Sequence, residues 1–467
     1  MAKIIFNKEK IKNRMTEGSI WQAILLFSLP LIAGNILQQL YNTADSFIVG
    51  KYVGDTALAA VGSSGTIAYF LLAFMWGAST GSGVIIARYF GARDKVNLSK
   101  AVHTTMIMSV IIGLAVACVG VAGARLFLQL LGCPEDLLDT ATLYLRLYLA
   151  GMLFNAVYNM AAGILNAVGN SARTLLYLGI SSVTNIVLDL LFVAVLKWGV
   201  AGAAIATDIS QLISAVLIVI YLFRTDGMYQ MSLKELKWNS LAAKQIVRMG
   251  FPTAIQNAVL AFSNLLIQAG VNSYGTLAVA GFTAYMKVDG FNIMPVMSFS
   301  LAATTFVGQN IGAGRMDRVK KGTVTTMLMC VIYSAVISLI MIVGRYPIIG
   351  LFTDSPEVIE YGVQCLWALA PFYVLLAVLH SLAGAVRGSG HTVPPMVIIL
   401  LSLCVYRVLW ILVAAPMFGS IIGVYLTYST SFFVGVALMV IYTLRGKWLV
   451  PKTFGEKRRR FFKRKAA

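Results

Sequence analysis

The chain has 467 residues, of which 59% are hydrophobic and only 12% are charged, and its mean hydropathy is +0.81. A soluble protein of ordinary composition carries about 25% charged residues, so the composition excludes an ordinary soluble domain. The formal net charge of +19 is compatible with nucleic-acid binding, but no nucleic-acid-reading motif accompanies the basic residues.

The apolar residues form long stretches, and about 20 such residues are enough to cross a bilayer core. Outer-membrane strands are shorter and alternate in polarity, which these stretches do not. The sequence therefore predicts an all-α polytopic membrane protein with twelve transmembrane helices. The predicted spans are 20–45, 57–87, 101–123, 140–163, 174–196, 199–223, 243–271, 278–308, 324–344, 359–385, 393–415 and 419–444.

The basic residues are distributed unevenly between the two sides of these spans. Thirty of the 37 Lys and Arg residues lie in the two tails, in the loops on their side or at the span end that adjoins such a loop, whereas four lie in the opposite loops. This asymmetry is the positive-inside pattern, so both termini are predicted to be cytoplasmic. Three further bases, Arg146, Lys287 and Arg407, lie within spans. The five cysteines and three histidines form no ligand cluster, so we expect neither a structural metal nor a cofactor.

The chain contains an internal repeat. GARDKVNLSKAVHTTM at 91–106 corresponds to GAGRMDRVKKGTVTTM at 312–327, and GILNAVGNS at 163–171 corresponds to GAVRGSGHT at 384–392, both at an offset of 221 residues. Two six-helix halves are therefore predicted. The expected divisions are a cytoplasmic tail at 1–19, an N-terminal lobe at 20–224, a cytoplasmic linker at 225–242, a C-terminal lobe at 243–445 and a basic cytoplasmic tail at 446–467.

An even number of spans in each half makes the repeat parallel, with its pseudo-twofold axis along the membrane normal. A cavity between the halves is then expected, as in secondary transporters. The alternative is a duplicated scaffold without a cavity, such as a channel subunit.

Deep polar residues are concentrated in the first half. A charged side chain at the bilayer centre costs between about 2.5 and 17 kcal/mol, so Asp45 and Asp189 are candidate functional residues. Their repeat counterparts are apolar or aromatic, Leu266 and Trp410. Other polar side chains share helical faces with these two acids or lie on neighbouring spans: Gln38, Tyr41, Asn42, Asn159, Asn185, Thr207 and Asp208.

Two uses of the paired acids are open at this stage. Burial and a like-charged neighbour both favour a protonated carboxyl, so the pair could take up a proton. Alternatively, the oxygens of Asp45, Asn185, Asp189 and Thr207 could bind Na⁺, because hard cations prefer oxygen ligands. Two structural readings compete, namely Asp45 at the outer interface and Asp189 in an ion pair with Arg407.

Several motifs together resemble the MATE (multidrug and toxic compound extrusion) family. They are LYNTADSFIVGKYVG in the first span, VTNIVLDLLF in the fifth, GVAGAAIAT in the sixth and VGQNIGAG after the eighth. The resemblance implies the V-shaped MATE fold of two six-helix bundles, in the bacterial branch that carries its acids in the N-terminal half. It also implies Na⁺- or H⁺-coupled antiport that exports organic, often cationic, compounds from the bacterial cytoplasmic membrane.

The resemblance places the cation or proton site on Asp45, Asn185, Asp189 and Thr207. Further residues are expected near that site or along the substrate path: Gln38, Tyr41, Asn42, Asn159, Met286 and Asp289. Pro30 corresponds to the proline that bends the first helix. The seventh-span acid of another branch is absent, with Gln256 the nearest polar residue, and Asp208 is not part of the family pattern.

The expected partners are small organic cations or amphipathic drugs and membrane lipid, without nucleic acid, and a monomer is expected. A flippase for a lipid-linked or amphipathic substrate is the alternative, which the small number of interior bases (Lys287, Arg407) disfavours. An enzyme is not expected, because the sequence shows no combination of nucleophile, base and orienting residue.

Overall fold

The computed structural model describes residues 15–450, apart from the side chains of Asp55 and Thr66. Over these residues the fold is entirely helical, with no strand, because helices satisfy every backbone group within one segment in a lipid environment. Eleven helices and one bent helix pair are long and apolar enough to span a membrane. The prediction of twelve spans is confirmed. Both terminal tails lie largely outside the described residues.

The twelve spans run as follows: α1 (Ile20–Tyr52), α2 (Asp55–Gly91), α3 (Lys95–Leu130), α4 (Glu135–Ala150 and Met152–Ala167, bent by 46°), α5 (Ser171–Val195), α6 (Gly199–Arg224), α7 (Ser240–Asn272), α8 (Thr276–Gly312), α9 (Met316–Val343), α10 (Pro356–Gly388), α11 (Val393–Phe418) and α12 (Ile421–Leu444). A short helix at Arg345–Gly350 lies between α9 and α10.

Several helices are longer than the apolar stretches that predicted them. Capping residues, rather than hydropathy, set their ends. The Asp94 side chain accepts a hydrogen bond from the Asn97 backbone N–H at the start of α3, and Asn239 does the same for Ala242 at the start of α7. Each cap satisfies one of the backbone donors that a helix leaves free in its first turn.

The repeat is visible in the backbone as well as in the sequence. Gly54, before α2, has φ 113°, and Gly275, before α8, has φ 93°. Gly169 and Gly390 form a second pair, with φ 88° and 87°. The members of each pair are separated by the repeat offset, and a positive φ favours glycine at each position. The two halves therefore use the same turns at the same places.

The buried cores largely follow the two halves. The largest cluster of buried apolar residues lies between Ile267 and Met439, and the second lies between Ile85 and Met249. The second cluster includes Ile246 and Met249 of α7. The start of α7 therefore packs into the first lobe, although its sequence belongs to the second half.

The two ends of the described chain lie on one side of the molecule, called here the terminal side. Asn310 and Arg318, at the turn between α8 and α9, donate hydrogen bonds to the Met15 carbonyl, and Trp448 packs against Val319 near the same turn.

The lobes pack closely on the terminal side. A Cβ atom added to Gly81 would collide with the Ile246 carbonyl, and one added to Gly91 would collide with the Gln309 carbonyl. Gln309 also donates a hydrogen bond of 2.7 Å to the Ala167 carbonyl of the first lobe. The lobes are therefore joined at this side by backbone-to-backbone contact, which only glycine permits.

Candidate functional site

Asp189 lies at the end of the regular part of α5. The next six residues, Leu190–Val195, form a π-helical turn, a feature common at functional sites. Asn185 lies one turn earlier on the same face. Asp189 has no exposed surface, and neither of its carboxylate oxygens has a hydrogen-bond partner in the described part of the chain. A buried carboxylate in this condition is strongly unfavourable unless a proton or a cation joins it.

Asn185 and Thr207 complete the inner part of this cluster. The Asn185 Nδ2 group donates to the Thr207 Oγ1 atom at 3.4 Å, which leaves Asn185 Oδ1 buried and without a partner. The amide N–H groups therefore point toward α6. Three buried oxygen atoms, two from Asp189 and one from Asn185, remain available on neighbouring turns of α5.

Asp45 lies beside this cluster. It is close enough to Asp189 for the two carboxyl groups to interact electrostatically, and its Oδ1 atom is buried without a partner. Asp45 therefore lies beside a second acid, and its position relative to the outer interface stays a prediction. Tyr41 lies within electrostatic reach of both acids and next to Gln38. The four predicted cation-site residues are thus brought together by α1, α5 and α6.

Two tyrosines that the sequence analysis missed border the same cluster. Tyr144 and Tyr148 are one turn apart on α4, with ring centroids separated by 6.0 Å and planes at 14°. Both lie within electrostatic reach of Asp45 and of Asp208. Their four-residue spacing in the sequence YLRLY is the signal that could have placed them on one helical face.

Asp208 lies against the bend of α4. A Cβ atom added to Gly151, the residue between the two segments of α4, would overlap the Asp208 carboxylate. The bend therefore accommodates an acid that the family resemblance did not include. The N-terminal lobe thus holds three acids, Asp45, Asp189 and Asp208, in its interior.

The predicted alternative for Asp189, an ion pair with Arg407, is wrong. Arg407 donates from Nε to Ser431 Oγ at 2.9 Å and from a terminal nitrogen to Asn264 at 3.3 Å. Lys287 is exposed, so it is not the interior base that the sequence suggested.

Asp289, which was expected near the cation site or substrate path, belongs to a different cluster. Its Oδ1 atom accepts hydrogen bonds from Tyr285 at 3.1 Å and Tyr373 at 2.6 Å. These contacts join α8 to α10 inside the C-terminal lobe.

A cavity of about 420 Å³ lies between the lobes. Gln38 and Asn159, which were expected near the cation site or along the substrate path, line it, and so does Pro30, for which a helix-bending role was expected. Asn42 and Met286 are exposed and do not line it. Pro30 lies within an uninterrupted α1, and its helix-bending role stays a prediction.

The cavity lining combines apolar surface with many polar side chains, and it contains one charged residue among those described, Arg387 of α10. The sequence analysis did not select Arg387. The available signal was the repeat itself, because Arg387 is the counterpart of Asn166 in GILNAVGNS and GAVRGSGHT. Both residues line the cavity. In the described part of the chain, no group of three or more His, Cys, Asp or Glu residues could hold a metal ion.

Two repeated six-helix lobes, a cavity between them and unpaired carboxylates in one lobe define a membrane transporter rather than an enzyme. The MatE family model matches residues 30–191 and 252–413, two windows at the spacing of the repeat to within one residue. The chain therefore belongs to the MATE family.

Relatives and solved structures agree with this assignment. The chain is 30% identical over 444 residues to the probable multidrug resistance protein YpnP of Bacillus subtilis strain 168, covering 95% of this chain and 99% of that protein. It is 26% identical over 441 residues to the probable multidrug resistance protein NorM of Thermotoga maritima, covering 92% and 93%. A solved outward-facing MATE transporter of the MOP superfamily has the same fold, with a TM-score of 0.88 at 23% identity over 95% of this chain and 99% of that chain.

Proposed function

We propose that this protein is a cation-coupled antiporter that exports small organic compounds across the bacterial cytoplasmic membrane by alternating access. The observation that carries the proposal is the fully buried Asp189, whose two carboxylate oxygens lack partners, beside Asp45 and the free Asn185 oxygen. An anionic cluster of this kind requires a positive partner. No Lys or Arg residue in the described part of the chain pairs with it, so we infer that the partner comes from solution.

The chemistry of the cluster fits Na⁺ or a proton. Carboxylate and amide oxygens are hard ligands that suit Na⁺. A proton shared between Asp45 and Asp189 would instead relieve the repulsion between two close carboxylates. Both readings use the same residues, and both give the site two charge states. No cofactor is needed for this cycle.

Coupling follows if the cation and the exported compound favour opposite conformations. A monovalent cation moving through about 100 mV contributes roughly 2.3 kcal/mol, in addition to its concentration gradient. The close glycine contacts between the lobes on the terminal side are consistent with one state of such a cycle, in which the cavity is closed on that side. The uneven distribution of basic residues supports a cytoplasmic location for the terminal side.

The relatives named as multidrug resistance proteins support a range of small organic substrates, and the resemblance adds an expectation of cationic and amphipathic compounds. The cavity lining, which includes Arg387 but none of the described acids, does not support a preference for cations. Arg387 also keeps a flippase for an anionic amphipath as the second candidate function.

The test is dye export from sealed inverted vesicles, with Na⁺ and proton gradients imposed separately. Wild-type export is expected to respond to at least one gradient. Asp189→Asn and Asp45→Asn should abolish that response while the proteins reach the membrane in normal amounts. Asp226→Asn, which changes an exposed acid of the linker, is the matched control and should export normally. Gradient-driven export that is unchanged in Asp189→Asn would refute the proposal.

A further inference from the structure

We propose that the cavity between the lobes binds organic anions, with Arg387 as the residue that binds the anionic group. The inference rests on the proposed function, because it specifies the charge class of the exported compound. It departs from the cationic substrates that the family resemblance implies, and it is drawn from the cavity itself.

The first step is the environment of Arg387. Its side chain is 8% exposed, and a terminal nitrogen donates to Ser300 Oγ at 2.8 Å. The Ser300 hydroxyl gives its own proton to the His380 carbonyl at 2.7 Å, so its oxygen is free to accept from the guanidinium. Arg387 Nε is buried without a partner. The ion pairs of the described residues do not include Arg387.

The second step is the requirement that follows. A guanidinium stays charged at any physiological pH, and a buried charge without a counter-charge is strongly unfavourable. Arg387 lines a cavity large enough for a small organic molecule. Carboxylate, phosphate and sulfonate groups match the fork of guanidinium donors. An anion in the cavity therefore supplies the partner that the protein does not.

The third step is rigidity. Gly384 and Gly388 lie on either side of Arg387 in α10, and both touch α8. A Cβ atom added to Gly384 would collide with the Ser300 carbonyl, and one added to Gly388 would collide with the Thr304 carbonyl. This backbone contact holds the segment that carries Arg387 in place. The guanidinium is thus positioned before a ligand arrives, which lowers the entropic cost of binding.

The fourth step is the comparison with the symmetry-related residue. Asn166 is the repeat counterpart of Arg387, lines the same cavity and is also 8% exposed. Its Oδ1 atom accepts a hydrogen bond from Thr174 at 3.2 Å, and its neutral amide needs no counter-charge. The scaffold does not require a charge at this position, and the C-terminal lobe has one.

The remaining lining suits a ligand with several hydrogen-bonding groups. Gln38, Asn159, Asn257 and Thr305 are among its uncharged polar members, and amide groups can both donate and accept. We therefore expect a compound with one anionic group and a polar or aromatic body, free in solution or as a lipid headgroup.

The test compares two dyes that share a xanthene ring, anionic fluorescein and cationic rhodamine 123, by fluorescence anisotropy with the purified full-length protein in a neutral detergent. Fluorescein is expected to bind more tightly. Arg387→Gln should weaken fluorescein binding by roughly ten- to a hundredfold, the range for a hydrogen bond to a charged group. Arg387→Lys should retain part of the binding, because it keeps the positive charge but loses the fork of donors.

The matched control is Arg407→Gln, which removes a buried guanidinium that does not line the cavity. It should leave fluorescein affinity unchanged, provided that its melting curve shows a folded protein. If the Arg387 variants do not fold, the relative affinities of the wild-type protein for fluorescein and rhodamine 123 still test the proposal. Benzoate should displace fluorescein, and benzyltrimethylammonium should not.

The proposal is overturned if rhodamine 123 binds and fluorescein does not, or if folded Arg387→Gln binds fluorescein as the wild type does. Competition by phosphatidylglycerol, but not by phosphatidylcholine, would support the anion site and identify a lipid headgroup as its ligand. Lack of competition by either lipid, with fluorescein still bound, would support a free organic anion.

The outcomes also separate this inference from the proposed function. Gradient-driven export of rhodamine 123 without fluorescein binding would overturn the anion site and leave the antiporter standing. Fluorescein binding that depends on Arg387, without any response of transport to Na⁺ or proton gradients, would support the anion site and overturn the antiporter.

Discussion

The two lobes share one scaffold but bury opposite charges. The N-terminal lobe buries Asp189 without a partner, whereas none of its described Lys or Arg residues is fully buried. Among its described residues, the C-terminal lobe buries Arg318, Arg387 and Arg407 together with one acid, Asp289, to which two tyrosines donate hydrogen bonds. Since the backbone turns repeat, the difference lies in the side chains rather than in the fold.

This comparison shows how a duplicated membrane protein can place different binding residues in its two halves. Duplication supplies two bundles on either side of a shared cavity. At equivalent positions, the first bundle has Asp189 where the second has Trp410. The second bundle has Arg387 where the first has Asn166, so the two bundles carry opposite charges. We infer a cation site in one lobe and an anion-binding residue in the other. A bound cation and a bound organic anion attract each other, so neither displaces the other by competing for one site. Exchange of the two ligands across the membrane then requires a change of conformation.

The largest expected effect distinguishes the acids of the two lobes. Asp189→Asn removes the unpaired charge and should lower gradient-driven export by at least about tenfold, because the coupling between cation and substrate, typically about 1–3 kcal/mol, is lost with the cation site. Asp289→Asn changes an acid that is already hydrogen-bonded by Tyr285 and Tyr373, and should lower export far less. Export rates in vesicles, normalised to protein amount, provide the measurement. Equal losses in both variants would contradict the division between the lobes.

A second prediction concerns the bend of α4. In Gly151→Ala the new methyl group meets the Asp208 carboxylate, and overpacking of this kind lowers the free energy of unfolding by about 1–3 kcal/mol. Adding Asp208→Ala should restore much of the loss, because the methyl group and the carboxylate compete for one space.

Thermal melting of the purified variants measures this effect. Gly290→Ala is the control, since that helical glycine has open space around it, and it should melt like the wild type. If Asp208→Ala fails to improve the melting temperature of Gly151→Ala, the two residues do not share the contact described.

A third prediction concerns the interface between the lobes. Gly91 and Gly312 are repeat counterparts, and a Cβ atom on either would collide with a backbone carbonyl of the other lobe, that of Gln309 or Arg88. Gly91→Ala and Gly312→Ala should therefore open the terminal side to similar extents. A loss of about 1.4 kcal/mol would raise the ratio of open to closed molecules roughly tenfold.

Labelling of a cysteine introduced by Thr80→Cys, which places it in the cavity lining, measures this opening. A membrane-impermeant maleimide added on the terminal side should react faster in both alanine variants. Gly65→Ala, which lies in open space, should not change the rate. A faster reaction in only one of the two variants would show that the interface is not symmetric.

The smallest expected effect is that of Tyr373→Phe. This change keeps the ring but removes a hydroxyl that donates to Asp289 at 2.6 Å and lies 2.6 Å from the Tyr285 hydroxyl. Because Tyr285 still donates to Asp289, the free energy of unfolding should fall by only about 1 kcal/mol, the net contribution of a typical hydrogen bond. Leu375→Ala, a partly buried neighbour, provides a packing comparison. Melting temperatures of the two variants provide the measurement, and an unchanged melting temperature in Tyr373→Phe would contradict the structural role of this bond.

Hydropathy and the repeat were sufficient to predict the helical fold and the twelve spans, because both are recorded locally in the sequence. Helical spacing also placed Asn185 and Asp189 on one face. The sequence could not show which residues of different helices meet. Arg387 was missed because its burial depends on the contact between α8 and α10, and Asp289 was placed near the cation site because its tyrosine partners lie on two helices.

The central claim is that an exchangeable cation or proton neutralises the N-terminal acids, and ligand-dependent melting tests it most directly. A ligand that binds only the folded state stabilises it by mass action. Adding NaCl in place of choline chloride, or lowering the pH, should raise the melting temperature of the wild type, and Asp189→Asn should lose at least one of these responses. The account is contradicted if the wild type and Asp189→Asn respond identically to both Na⁺ and pH.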